Sequence, residues 1–238
     1  MCCGLSLLGR LSRLSSCDVI DVSHTGSLKV VEAMKLYALM LVFAAVGLGQ
    51  VPHQHHPPTS GEYAKVLEDP SRDEWQKPHE VVMALGLRPT DVIADIGAGT
   101  GYFARRFANH ARKVYAVDID KELLAIIQKN APPNITVVLA APDDPLLPEH
   151  SVDIIFFCDV LHHIQNRASY YPKIARALKP GGRVVVIDFY KKALPVGPPP
   201  SMKLSDKEVI AEFRNAGFTL SKRLAILPYQ YYLFFEKR

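Results

Sequence analysis

Cysteine is scarce where a fold would need it: of four in 238 residues, Cys2, Cys3 and Cys17 fall in the first seventeen and Cys158 stands alone. That distribution argues against a disulfide framework. Cys158 ends the apolar run Ile154-Ile155-Phe156-Phe157 and reads as a small buried hydrophobe in a strand. Clustered charge is missing too. Lys and Arg number 28 against 24 Asp and Glu, for a formal net charge of +4, and the basic residues are scattered among acidic ones rather than gathered in a stripe. Nothing in that balance calls for a nucleic-acid partner. The longest apolar stretch, Leu36 to Gly49, falls short of the ~20 residues that a membrane-spanning helix needs. His53, His55 and His56 lie close together, but no second cluster of metal ligands accompanies them, so a solvated linker is expected and no metal.

What the chain does have begins with a leader. Residues 34–50 open with Met34 and Lys35, continue through a short apolar stretch and end in small residues, which is the layout of a signal peptide or an uncleaved membrane anchor, with cleavage expected near Gly49 or Gln50. Residues 1–33 show no periodicity of a packed element and read as a disordered or non-native extension ahead of a true start at Met34. Lys29 and Lys35 precede the apolar stretch, so the positive-inside rule places the rest of the chain outside: periplasmic or secreted if cleaved, membrane-attached through the leader if not. Residues 51–74 follow as a His/Pro-rich linker and entry segment, and residues 75–238 as the principal domain. Trp75, the only tryptophan, is expected either to dock the entry segment on the core or to cover a ligand edge.

From Asp91 onward strand and helix patterns alternate. Val92 to Ile96 is an apolar run; Tyr102 to Arg112 has helical composition; Lys113 to Val117 reads as a strand; Asp120 caps a helix through Leu123, Leu124, Ile126 and Ile127; Ile135 to Leu139 is a third strand. Such alternation implies an α/β fold, doubly wound, with a mostly parallel sheet and helices on both faces. Lys179-Pro180-Gly181-Gly182 must stop the helix through Tyr171 to Leu178 and turn the chain into a fifth strand. Ser205-Asp206-Lys207-Glu208 is a capping box that opens a helix to Ala216, Gly217 ends it, and Gln230 to Phe235 is the last strand.

The chemistry centres on Asp95-Ile96-Gly97-Ala98-Gly99-Thr100-Gly101. Glycines permit a tight turn off the first strand and close approach of backbone to a ligand at a helix N-terminus. Nicotinamide and flavin enzymes use G-x-G-x-x-G, whereas here the glycines fall at 97, 99 and 101 and position 102 is tyrosine, which disfavours a dinucleotide oxidoreductase. Asp95 would repel a pyrophosphate and welcome a cationic sulfonium. Asp118 closes the second strand about twenty residues on, where a carboxylate accepts hydrogen bonds from ribose hydroxyls, with Ile119 beside it.

With these residues in place the chain resembles the class I, Rossmann-like S-adenosylmethionine-dependent methyltransferases of the small-molecule type. The resemblance continues through Pro142-Asp143-Asp144-Pro145-Leu146-Leu147-Pro148, Ser151 to His163 and Leu178 to Asp188, so it covers about Asp91 to Asp188. It implies a seven-stranded sheet with an antiparallel C-terminal strand and S-adenosyl-L-methionine as cofactor. It further implies adenine contact by Asp143 or Asp144, a methionine side lined by the Asp159 region, and a small-molecule methyl acceptor. This chain has Ala140-Ala141-Pro142 where many relatives have Gly-Asp-Ala, which leaves Asp143 and Asp144 as alternatives.

If the acceptor must lose a proton, His162 and His163, just past the fourth strand, are the catalytic candidates. The connection Tyr190 to Leu204 carries Pro195, Pro198, Pro199 and Pro200 and is long enough to cover a site, with Tyr170 or Tyr171 contributing to an acceptor pocket. Two alternatives stand beside the leading reading. One is an exported nucleoside-binding protein without catalysis, and the other is an isoaspartate-type carboxyl methyltransferase, which the Gly101-Tyr102 pair resembles.

Overall fold

The computed structural model describes residues 59–238. The leader at 34–50, the extension before it and the histidines of the linker lie outside the described residues.

The strands are β1 (Val92–Ile96), β2 (Lys113–Asp118), β3 (Ile135–Leu139), β4 (Val152–Cys158), β5 (Leu178–Phe189), β6 (Phe218–Leu224) and β7 (Gln230–Lys237). They form one seven-stranded sheet in the order β3-β2-β1-β4-β5-β7-β6. The first five run parallel, and β7 pairs antiparallel with both β5 and β6. The expected fold class is observed: β7 is the one reversed strand of the sheet, and β6, antiparallel to it, runs in the same direction as the first five.

Every residue of β1 is buried, as a central parallel strand covered on both faces requires. The two edges differ in character. β3 is half-buried, and β6 carries exposed Lys222 and Arg223, charges that discourage pairing with another chain.

Helices α1 (Ser60–Leu67), α2 (Arg72–Gln76), α3 (Pro78–Leu85), α4 (Ala104–Phe107), α5 (Lys121–Lys129), α6 (Arg167–Ala177) and α7 (Asp206–Asn215) surround the sheet. One face is sealed by Val82 and Leu85 of α3, Phe107 of α4 and Leu124 and Ile127 of α5, packed on Ile93, Phe156 and Val185. The other is sealed by Tyr171 and Ile174 of α6 and Val209 and Phe213 of α7, packed on Ala94, Phe157 and Val186. Alternate residues of each strand serve opposite cores, which is the period-two geometry of a pleated sheet.

Several local readings are sharpened. Asp120 caps α5 through the backbone N–H groups of Glu122 and Leu123, and Ser205 with Glu208 closes the capping box of α7. The helix expected over Tyr102 to Arg112 is only Ala104–Phe107, and in the turns that follow it Asn134 Nδ2 donates to the carbonyls of Ala108 and Ala111. The helix before β5 begins earlier than Tyr171, at Arg167. β5 pairing with β4 jumps from Leu178 to Arg183, so the Lys179-Pro180-Gly181-Gly182 turn sits as an outward irregularity, with Gly181 at φ 75°. The entry segment folds as α1 and α2. Thr59 and Glu62 form a second capping box, the signal for α1 that sequence reading passed over.

The strand order reverses between β1 and β4: chain growth runs one way through β2 and β3 and the other way through β4 and β5. In doubly wound sheets that reversal opens a crevice at the C-terminal strand ends, where ligands bind.

Candidate functional site

Four strands deliver a carboxylate to that crevice. Asp118 ends β2, Asp95 is the penultimate residue of β1, Asp159 follows β4 and Asp188 is the penultimate residue of β5. A charged residue at the end of an apolar run is expensive to bury unless something compensates it. Asp95 and Asp188 are buried all the same.

The glycine loop closes directly over β1. Gly97, Gly99 and Gly101 have φ of 71°, 55° and 90°, a region L side chains avoid. A Cβ on Gly97 would lie 2.3 Å from Val160 Cγ2, and one on Gly99 would lie 2.8 Å from Leu67 Cδ1, so the bare backbone is required on both sides. Gly97 and Ala98 donate to the Val117 carbonyl at 2.8 and 3.0 Å, and the Gly99 N–H donates to Asp118 Oδ2 at 2.8 Å. The other oxygen of Asp118 accepts from Asp120 N at 3.0 Å, which leaves the carboxylate lone pairs for further donors. Thr100 is buried and its hydroxyl donates to Glu68 Oε1 at 2.5 Å.

Burial pushes the Asp95 carboxyl up to about 8, against the pull of the nearby Arg72 charge and with Asp118 adding to the rise. Asp159 has φ 57°, left-handed for a non-glycine residue, which is strain of the kind that concentrates at functional sites. Its carboxyl is pushed up to about 7 by burial and by the Asp188 charge, while Arg72, a hydrogen bond from Gln230 and His162 oppose the shift. Gln230 Nε2 donates to Asp159 Oδ1 at 2.6 Å, and Gln76 Nε2 donates to Gln230 Oε1 at 2.9 Å, so α2 is wired to the end of β4 through β7.

Arg72 is the cation that sequence reading missed. Its guanidinium lies 4.0 Å from the Tyr102 ring centroid, donates to the Leu67 carbonyl at 3.2 Å, and holds a buried Nε with no hydrogen-bond partner. A lone arginine in a short polar helix leaves no periodic trace in a sequence. The α1–α2 segment is fastened by Ser60 to Asp120 at 2.8 Å, Glu68 to Arg105 at 2.7 Å, and Asp73 to the Tyr102 hydroxyl.

On the acceptor side, His162 sits in a short 3-10 turn, Leu161–His163, after β4. Its Nδ1 lies 2.9 and 3.0 Å from the two oxygens of Asp188, with the histidine side chain 3% exposed. Burial works to lower the imidazole pKa, but the hydrogen bond and charge of Asp188, helped by Asp159, raise it overall. His163 is exposed, its ring 4.2 Å from that of His162, and its pKa is lowered by partial burial and by its neighbour. Asp188 was legible as a strand end but carried no signal of its pairing.

The connection Tyr190 to Leu204 folds back on the strand end before it. The Phe189 ring lies 2.8 Å from where a Gly197 Cβ would stand, 5.4 Å from Lys203 Nζ, and 5.7 Å from the Trp75 ring. The entry segment and the long connection therefore meet on Phe189, which places Trp75 at the rim of the site. Tyr170 and Tyr171 are buried on the α6 face, Tyr171 donating to Glu212 at 2.6 Å.

Asp143 and Asp144 lie in the turn after β3, where Ala141 and Asp144 form an isolated bridge. Asp143 is exposed and paired with Lys173 at 2.9 Å, and Asp144 Oδ1 accepts from Leu146 N at 2.8 Å. Ile119 is 62% exposed, an apolar side chain at the mouth of the crevice beside Asp118. Cys158 has its thiol pKa raised by burial and by Asp159, which makes it a poor nucleophile.

Residues 94–186 match the family model described as a methyltransferase domain. The chain is 36% identical over 107 residues to a demethylmenaquinone methyltransferase of Tropheryma whipplei, covering 44% of each chain. It is 28% identical over 119 residues to a ubiquinone/menaquinone biosynthesis C-methyltransferase of Ectopseudomonas mendocina, covering 47% of this chain and 46% of that protein. The match thus spans less than half the length of these curated relatives. A SAM-dependent methyltransferase structure from Aquifex aeolicus superposes with a TM-score of 0.70 at 25% identity, over 75% of this chain and 98% of that one.

Proposed function

Because the chain carries a class I, Rossmann-like S-adenosylmethionine-dependent methyltransferase domain, we propose that it transfers a methyl group to a small-molecule acceptor. The observation that carries this reading is the glycine cradle between Val160 and Leu67 with Asp95, Asp118 and Asp159 at its rim. Acidic groups around bare backbone suit a cationic ligand, and the buried, unpaired Arg72 Nε suits that ligand's single anionic group. When bound, S-adenosylmethionine supplies an electrophilic methyl group on a sulfonium.

In this reading Gly97, Ala98, Gly99, Thr100 and Gly101 pack against the cofactor. Asp118 accepts from the ribose hydroxyls with Ile119 against the adenine side, and Asp143 or Asp144 reaches the adenine amino group. Asp159 and Asp95 face the methionine amino and sulfonium charges, and Arg72 holds its carboxylate. The protein's own contribution is alignment and exclusion of water, which account for most of the acceleration of an in-line displacement. Trp75 and the Tyr190 to Leu204 connection, meeting on Phe189, supply the cover.

The quinone-biosynthesis methyltransferases among the relatives support a small-molecule acceptor. Incubating the purified chain with S-adenosylmethionine tritiated in the methyl group and a host-cell extract tests this. Label is expected in the small-molecule fraction, and label found in protein carboxyl groups alone would favour the isoaspartate-type activity instead. The leader-like residues 34–50 support an exported or membrane-attached enzyme, for which fractionation of the host is the test. Recovery in the cytosol with residues 34–50 intact would end that part of the proposal.

A further inference from the structure

We propose that His162 and Asp188 form a proton-accepting pair for the methyl acceptor, with Lys203 beside it, and that the acceptor reacts through a phenolic or enolic hydroxyl. This inference rests on the methyltransferase reading above and adds the acceptor's chemistry to it.

Asp188 is fully buried; both of its oxygens lie within 3.0 Å of His162 Nδ1, and Oδ1 also accepts the Phe189 backbone N–H at 2.8 Å, which fixes the carboxylate in place. A carboxylate bound to Nδ1 fixes the tautomer with its proton there, so the neutral ring presents an unprotonated Nε2 on the side away from Asp188. Nε2 has no hydrogen-bond partner among the described residues, whereas Nδ1 has two contacts. The arrangement is that of a base held in one orientation by a buried acid.

Lys203 comes from the covering connection and is 2% exposed. Its Nζ donates to the Lys192 carbonyl at 2.9 Å, which uses one of three N–H donors. Its Nζ lies 5.4 Å from the ring centroid of Phe189, the residue after Asp188, close enough for its charge to oppose that of Asp188 on the His162 ring. A buried ammonium with spare donors beside a base is suited to an oxygen that becomes negative as it loses its proton.

The other acceptor classes fit less well. An amine at neutral pH is itself a cation, which the Lys203 charge at the base disfavours. A thiol, with an ordinary pKa near 8.5, ionises with little help. A phenol, near 10, is the class for which a positioned base and a neighbouring cation make the difference. The acceptor oxygen gives its proton to Nε2 and bonds to the methyl carbon, whose former bonding pair stays with the donor sulfur as a neutral thioether. The methylated acceptor then leaves, and the imidazolium passes its proton to solvent.

The charged and titratable groups around the pair are Cys158 at the end of β4, Asp159 after it, Lys203 from the connection, His163 in the same turn and Tyr231 of β7. Two measurements on the full chain test the proposal. First, S-adenosylhomocysteine binding is confirmed by calorimetry; failure there removes the parent reading and is seen separately. Then tritiated S-adenosylmethionine is supplied with a panel of mono- and bicyclic phenols, primary amines and alkyl thiols. Methylation of a phenol is expected, reduced about 100-fold or more by His162→Gln with S-adenosylhomocysteine affinity held within about twofold. Turnover of no phenol, or a His162→Gln variant as fast as the parent, overturns it. Second, histidine labelled at Cε1 is titrated by NMR in the S-adenosylhomocysteine complex, with His162 assigned by its loss in His162→Gln. A midpoint above 6.5 that falls in Asp188→Asn supports the pair. If Asp188→Asn does not fold, the parent titration decides alone, and a midpoint at or below 6.5 overturns the pairing.

Discussion

Replacing Asp95 by Asn should abolish a pH dependence of stability that the wild-type carboxyl imposes. Asp95 is 3% exposed at the end of a fully buried strand, and burial raises its pKa from 3.8 to about 8. The unfolded chain loses this proton near 3.8 while the folded chain keeps it to about 8, so between those values the folded state binds more protons and stability falls as pH rises. Below 3.8 and above about 8 this contribution is flat. Each pH unit inside the window costs about 1.4 kcal/mol, so from pH 5 to pH 8 the wild type should lose about 4 kcal/mol relative to Asp95→Asn. Asp159, pushed up to about 7, adds its own slope in the same window but is common to both proteins. Urea unfolding followed by circular dichroism at pH 5, 6, 7 and 8 gives the difference directly. A difference constant to within about 1 kcal/mol across that range would refute the reasoning. At pH 8 and above, where Asp95 ionises, the same substitution should erode the preference for cationic S-adenosylmethionine over S-adenosylhomocysteine, whose sulfur is neutral, as expected of the carboxylate that the proposed function sets against the sulfonium.

Gly97→Ala adds a methyl at φ 71° against Val160, and left-handed strain of about 1–2 kcal/mol plus overpacking of about 1–3 kcal/mol should cost about 2–5 kcal/mol and abolish cofactor binding. Denaturation and calorimetry check it; a protein of parental stability that still binds would contradict the cradle. Arg72→Met should weaken S-adenosylhomocysteine binding about 10- to 100-fold, the worth of one charged hydrogen bond, and leave 5′-methylthioadenosine unchanged because that ligand has no carboxylate. Equal losses for both would show that Arg72 acts on the fold instead. Glu212→Gln breaks the cluster in which Glu212 accepts from Arg167 at 2.7 Å and Tyr171 at 2.6 Å, far from the crevice. About 1–3 kcal/mol of stability should go while S-adenosylhomocysteine affinity stays, and a parallel loss of affinity would mean that the α6–α7 face is coupled to the site.

The elements most legible in the sequence were those whose local signals agree with their burial. β1 and β4 are apolar apart from Asp95 and Asp153 because both of their faces are covered, and α5 and α7 announce themselves through Asp120 and the Ser205–Glu208 box. β6 is hard to see because six of its seven residues face outward or are only partly covered. The loop glycines and Asp118 were readable because their spacing is a backbone requirement. Arg72, Gln76 and Gln230 were not, since each acts through partners distant in sequence: Gln76 meets Gln230 across 154 positions, and that pair reaches Asp159. The same holds for His162, a visible candidate whose orientation depends on a carboxylate 26 residues away.

Calorimetric titration of the full chain with S-adenosylmethionine, S-adenosylhomocysteine and NAD tests the central claim most directly. One-to-one binding of both sulfur compounds, tighter for the cation at pH 8 than at pH 6 as Asp95 ionises, and no heat with NAD is the predicted result. Folded protein that binds neither sulfur compound, or that binds NAD in their place, would contradict it.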